Sequence, residues 1–215
     1  MNLTTKHRLA GKGVYAVTDG PRDDLFAAVE AALAGGARIL QYRDKTTDAS
    51  RRLAEASELS SICARYDAIF IVNDDVALAA RVGAGVHLGA EDGDIAAARA
   101  TLGPDAIVGV SCYDSIQRGR DMAAAGADYI AFGAFFPSPT KPNARRAPLD
   151  VLRQAAALGL PLVAIGGITV DNAHLLVDAG ANYVAVVSAI FSADDIQTAT
   201  RRFADIFDTT HGFSA

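Results

Sequence analysis

Gln41, Arg43 and Lys45 stand at alternate positions in the run Ile39-Leu40-Gln41-Tyr42-Arg43-Asp44-Lys45. A strand sends alternate side chains to one face, so this spacing gathers an amide and two cations on one side. Arginine offers a two-pronged fork and lysine a point charge, and both suit phosphate oxygens. A solvated strand end is the plainer alternative, but a partly buried face of this kind is costly without an anion. Asp74 follows Asn73, and Asp92 lies 18 residues further on. Two carboxylates from neighbouring loops, with phosphate oxygens and waters, suit the oxygen shell of Mg²⁺. Helix capping is the plainer role, and it fits Asp75 better. Ser111 has no evident histidine–carboxylate pair to activate it, so it reads as a hydrogen-bonding hydroxyl rather than a nucleophile. Ser138-Pro139-Thr140-Lys141 offers two hydroxyls and a cation on a proline-stiffened loop. Gly166-Gly167 and Val187-Ser188 lie where backbone N–H groups approach an anion closely. His87 alternates with Val86 and Leu88; it faces a mouth or sits satisfied in an interior, and the pattern leaves both open.

These residues need a scaffold that brings distant segments to one end. Four glycine-marked joints recur: Ala34-Gly35-Gly36-Ala37, Val82-Gly83-Ala84-Gly85, Ala125-Gly126-Ala127 and Ala179-Gly180-Ala181. A glycine that closes a helix just before an apolar run is the short αβ connection of a parallel α/β fold. Strands are expected at Gly13–Asp19, Arg38–Asp44, Ile69–Asp74, Gly85–Gly89, Ile107–Cys112, Tyr129–Phe135, Leu162–Ile168 and Tyr183–Ile190. Amphipathic stretches lie between them. Leu25, Phe26, Val29, Ala32 and Leu33 form one stripe, and Ile196, Ala199, Phe203, Ile206 and Phe207 another. Asp23, Asp48, Asp94, Asp114, Asp171 and Asp194 are the expected helix caps. Eight strand–helix units with no linker predict a single α/β domain, a (β/α)8 TIM barrel, rather than an open doubly wound sheet. Residues 1–12 read as an extension, 13–210 as the barrel and 211–215 as a tail. Barrel chemistry sits at the C-terminal ends of the strands, and every candidate above falls there.

The chain has 215 residues, and 20 basic against 25 acidic side chains give a net charge of −5. That balance argues against a general nucleic-acid binder. Cys63 and Cys112 are too few for a disulfide framework and read as buried thiols. No apolar run is long enough to span a membrane, and Met1–Lys12 lacks a signal peptide's apolar stretch, so a soluble cytoplasmic protein is expected. Strand ends two to five offer cations, carboxylates and amides for a metal-bound diphosphate. Ends six to eight offer hydroxyls and backbone donors for a phosphomonoester. No general base stands between them, so the pattern suggests group transfer driven by diphosphate departure from one of two small anionic substrates.

In order, Gln41-Tyr42-Arg43-Asp44-Lys45, Asn73-Asp74, Gly85-Val86-His87-Leu88-Gly89 with Asp92, Gly109-Val110-Ser111, Ser138-Pro139-Thr140-Lys141, Ile165-Gly166-Gly167-Ile168 and Val187-Ser188 resemble the thiamine phosphate synthases, or thiamine-phosphate pyrophosphorylases. The resemblance covers nearly the whole chain. It implies a TIM barrel that joins a hydroxymethylpyrimidine diphosphate to a hydroxyethylthiazole phosphate, releasing pyrophosphate. It implies that Gln41, Arg43, Lys45 and Asn73 bind the pyrimidine substrate, with Ser111 and Lys141, and that Asp74 and Asp92 ligate Mg²⁺. Ser138 and Thr140, with Gly167, Val187 and Ser188, are then the thiazole-phosphate side. Tyr42, Asp44 and Pro139 join the substrate-binding positions, and Arg43, Lys45, Ser111 and Lys141 are the implied catalytic ones. Three positions depart from the family's commonest pattern: Asp44 for glutamate, on a side expected to point away from the mouth, Ser138 for threonine, and Tyr113 for histidine.

Two rivals share the barrel. A thiazole tautomerase-like enzyme needs no diphosphate face or metal pair, and a non-catalytic thiazole-phosphate-binding regulatory barrel binds without turnover. A phosphosugar isomerase wants a base–acid pair that is not evident. Homo-oligomerisation is left open, and the segment from Pro137 to Pro148 is a candidate lid.

Overall fold

The structure is a computed structural model that describes residues 5–137 and 145–209. Eight parallel strands close on themselves in chain order: β1 (Gly13–Val17), β2 (Ala37–Tyr42), β3 (Ile69–Asn73), β4 (Gly85–Leu88), β5 (Val108–Tyr113), β6 (Tyr129–Gly133), β7 (Leu162–Ile165) and β8 (Tyr183–Val186). β8 returns to β1 with Gly13 opposite Tyr183 and Ala16 opposite Val186. The helices are α1 (Thr5–Leu9), α2 (Leu25–Ala34), α3 (Ala49–Arg65), α4 (Val76–Val82), α5 (Ile95–Leu102), α6 (Ile116–Ala124), α7 (Asp150–Ala155), α8 (Val170–Asp178), α9 (Ser188–Phe191) and α10 (Ile196–Thr209). The expected TIM barrel is therefore the observed fold.

The strands are short and apolar because both faces are covered. Outward side chains such as Leu40, Val72, Val86, Val110 and Phe132 pack against the helices in one cluster. Inward ones such as Tyr15, Ile39, Ile71, Tyr129 and Tyr183 form a second cluster inside the barrel. Gly109 shows how tight that interior is: an added Cβ would lie 1.9 Å from the Tyr129 ring. The expected N-terminal extension contains α1, whose Leu9 is buried with the inner cluster. The Tyr183 hydroxyl donates to the Leu9 carbonyl at 3.1 Å, so α1 closes the strands' N-terminal end.

Several expected boundaries move. β1, β2, β6, β7 and β8 stop two to four residues early, because the ladder to the neighbouring strand ends and loop conformations take over. After β7, Gly166 and Gly167 take φ of 105° and 65°, and after β8 the residues expected as strand begin α9. Asp48 and Asp94 cap as expected, accepting from Arg51 N and Ala97 N, and Asp75 accepts from Leu78 N. Asp24, Ser115, Thr169 and Asp195 replace Asp23, Asp114, Asp171 and Asp194 at the helix starts. Where two capping types are near neighbours, the position just before the first helical turn takes the role. Phe26 is a further correction: it is 41% exposed, while Leu25, Val29, Ala32 and Leu33 carry the buried stripe of α2.

Candidate active site

The end of β2 builds one wall. Gln41 is buried, and its Nε2 donates to the Tyr15 hydroxyl at 2.7 Å inside the barrel. Arg43 follows the strand. Its backbone N–H donates to Thr18 Oγ1 at 2.8 Å, and that hydroxyl donates back to the Arg43 carbonyl at 3.2 Å. Thr18 thus clamps the backbone that presents the guanidinium. Among the described residues neither Arg43 nor Lys45 makes an ion pair, so both cations are available to an anion. The intervening Tyr42 and Asp44 side chains face the other way. The Tyr42 hydroxyl donates to Glu55 Oε2 at 2.6 Å, and Asp44 accepts from Arg51 at 2.5 Å and Thr46 N at 2.7 Å. Burial pushes the Asp44 carboxyl up, but the bonds from Thr46 and Arg51 outweigh it and hold the group below the usual carboxylate range. These two side chains brace the wall from the helix layer instead of lining the mouth.

The interior behind Gln41 holds two groups that the motif pattern did not single out, Tyr15 and Tyr129. Their hydroxyls lie 2.8 Å apart, and Tyr129 Oη lies 2.8 Å from His87 Nδ1. His87 Nε2 in turn lies 2.8 Å from Ser111 Oγ. His87 is therefore the interior histidine with both nitrogens satisfied, and it also touches Ser111 near the mouth. Burial holds the His87 ring down to about 4, only partly offset by the charge of Asp92, so it is neutral near pH 7. Burial also pushes both tyrosine hydroxyls well above their ordinary value. The signal for them was present: a tyrosine inside an apolar strand needs a partner for its hydroxyl.

The ends of β3 and β4 supply the carboxylates. Asp74 sits just past β3 at φ 62°, a left-handed conformation held by its N–H donating to the His87 carbonyl at 2.8 Å. Asn73 donates its side-chain amide to Asp74 Oδ2. Burial raises the Asp74 carboxyl, and the hydrogen-bonded Asp92 beside it raises it further, while Lys45 pulls it down. Asp92 also accepts from Gly89 N at 2.9 Å. Two acidic groups held against one another form a site that a divalent cation would relieve. Among the described residues, no third histidine, cysteine or carboxylate joins them. The pair thus fits a magnesium ion that takes its other ligands from substrate and water, not a protein-only cage.

The second wall is described in part. Ser138, Pro139, Thr140 and Lys141 lie outside the described residues. Gly167 does not tolerate a side chain, since a Cβ would lie 2.4 Å from the Pro137 carbonyl oxygen and 2.5 Å from that of Phe136. Asn172 donates to the Gly167 carbonyl at 3.1 Å and holds this loop to α8. Val187 lies just past β8, as the residue before α9, which Ser188 opens. A cavity of 530 Å³ opens at the opposite ends of the strands, lined by Cys63, Phe70, Ala84 and Ile107 among others. Its lining contains none of the charged or hydroxyl residues gathered at the mouth.

A closed parallel barrel with free cations, paired carboxylates and glycine loops at one mouth defines a phosphate-handling barrel enzyme. The family model for thiamine monophosphate synthase matches residues 14–190. The chain is 58% identical over 199 residues to a thiamine-phosphate synthase of Chromobacterium violaceum, covering 91% of this chain and 96% of that protein. It is 56% identical over 192 residues to that of Halorhodospira halophila, covering 88% and 91%. The solved thiamine phosphate pyrophosphorylase of Pyrococcus furiosus superposes with a TM-score of 0.85 at 33% identity, over 96% of this chain and 99% of that one. The chain belongs to the thiamine monophosphate synthase family.

Proposed function

We propose that this chain joins a hydroxymethylpyrimidine diphosphate to a hydroxyethylthiazole phosphate, forming thiamine phosphate and pyrophosphate. It is a group transfer: the methylene C–O bond breaks with its electron pair leaving on the diphosphate, and the thiazole nitrogen lone pair forms the new C–N bond. The observation that carries this reading is the pairing of free Arg43 and Lys45 with the Asp74–Asp92 carboxylates at adjacent strand ends, in a chain of this family. Such a reaction needs its leaving-group charge stabilised, not a strong nucleophile. The neutral histidine and the high tyrosines of the interior fit that, because none is poised as a base.

In this reading Arg43 and Lys45 receive the diphosphate, and Gln41, Asn73 and Ser111 hold the pyrimidine. Asp74 and Asp92 would hold Mg²⁺, which when bound neutralises the diphosphate charge. Gly167, Val187 and Ser188, with Ser138 and Thr140, receive the thiazole phosphate, and Lys141 joins the pyrimidine side. The charge separation explains how a chain of net charge −5 takes two anions. No helix among the described residues is long and apolar enough to cross a membrane, and a cytoplasmic enzyme of small-molecule substrates is the reading we favour. The test is direct. Purified protein with both substrates and Mg²⁺ is expected to release thiamine phosphate and pyrophosphate in equal amounts, and omission of either substrate abolishes both. Pyrophosphate release without coupled product, or no release at saturation, would overturn the reading.

A further inference from the structure

Five side chains make one continuous hydrogen-bonded line across the barrel interior: Gln41 to Tyr15 at 2.7 Å, Tyr15 to Tyr129 at 2.8 Å, Tyr129 to His87 at 2.8 Å and His87 to Ser111 at 2.8 Å. Tyr15 and Tyr129 are 1% and 0% exposed, so bulk solvent does not reach their hydroxyls. Both ends of the line reach the mouth. In such a line each hydroxyl has one proton, and the direction of one bond decides the next.

We propose that Tyr15, Tyr129 and His87 are positioning residues that transmit one hydrogen-bond direction from Gln41 to Ser111, and so set what each end offers the bound pyrimidine. Gln41 Nε2 donates to Tyr15, which leaves the Tyr15 proton for Tyr129. The Tyr129 proton then goes to His87 Nδ1. A neutral ring that accepts at Nδ1 carries its proton on Nε2, and it donates that to Ser111. The amide oxygen of Gln41 is left as an acceptor at the mouth, and the Ser111 hydroxyl is left as a donor. A ring with an amino group beside an accepting nitrogen matches those two ends; a ring with the two groups exchanged does not. The selection of an amino-substituted heterocycle therefore rests on buried groups that never touch it. The proposal builds on the synthase reading, because it uses the same pyrimidine side of the mouth.

The direction has an observable signature in the resting protein. Nitrogen-15 NMR of the histidine rings is expected to show His87 neutral with its proton on Nε2; a proton on Nδ1 overturns the proposal. In Gln41→Glu, measured in mildly alkaline buffer, the carboxylate only accepts. Tyr15 then donates to it, the whole line reverses, and the His87 proton moves to Nδ1; an unchanged tautomer also overturns the proposal. Tyr129→Phe keeps the ring over Gly109 and removes both bonds of its hydroxyl, to Tyr15 and to His87. It is expected to lower kcat/KM for the pyrimidine diphosphate about tenfold and to leave KM for the thiazole phosphate within about twofold, the scale of one to two lost buried hydrogen bonds. No change, or equal losses for both substrates, means a merely structural tyrosine. The tautomer measurements need no turnover, so absence of synthase activity would be separable from failure of the line.

Discussion

The two faces of the same strands are both buried, yet they are built differently. Outward residues such as Leu40, Val72, Val110 and Phe132 make an apolar layer with the helices, and polar groups are few in it. Inward residues one position away include Gln41, Tyr15, Tyr129, His87 and Ser111, joined in a line that ends at the mouth. Buried polar groups cost stability unless they are paired, and an apolar interior of the same shape would do as well for folding alone. The contrast teaches that the outer face holds the barrel together while the inner face serves what binds at its end.

The sharpest way to break this contrast is to damage the outer face. Phe132→Ala is expected to cost about 3–5 kcal/mol of stability in urea unfolding, as for other buried phenylalanines, while kcat/KM of the folded fraction stays within about twofold. A specific loss of catalysis would show that the faces do not divide the work. The next effect is in pH. The unfolded chain protonates a histidine near 6.5, whereas His87 in the fold resists protonation until about 4. The unfolded state binds more protons in that window, so stability falls as pH drops through it, by roughly 3 kcal/mol at most for this one group. Unfolding followed from pH 7 to pH 4 checks this, and His87→Gln is expected to flatten the slope. Asp74→Ala is a smaller perturbation of energy but a clear one of chemistry. It is expected to raise the Mg²⁺ concentration for half-maximal rate about 10–100-fold, the usual cost of losing a metal-site group. The least effect is expected at the thiols. Burial pushes Cys63 up to about 12 and Cys112 up to about 11, so neither reacts with a thiol reagent until the chain unfolds.

Much of this division was legible in the residues. Glycine joints and short apolar runs carry the eightfold repeat, because strands covered on both faces tolerate little else. Alternation placed Gln41 and Arg43 on the inner side and Asp44 away from it, as the Arg51 bond shows. Strand ends were less legible, since Gly166, Gly167 and Ser188 leave the ladder for reasons of neighbouring geometry and not of local propensity. Tyr15 and Tyr129 do not stand out in the sequence because their partners are more than 20 residues away, and only closure of the barrel brings them together. His87 was open between two roles for the same reason: its partners come from β5 and β6.

The claim that matters most is that the inner side of β2 serves the pyrimidine diphosphate and not the thiazole phosphate. The measurement is the pair of kinetic constants of Arg43→Ala, each substrate varied with the other saturating. The expected result is a loss of about 10–100-fold in kcat/KM for the pyrimidine diphosphate, the scale of one charge-assisted bond, with KM for the thiazole phosphate within about twofold. Equal losses for both substrates would contradict the division of the mouth.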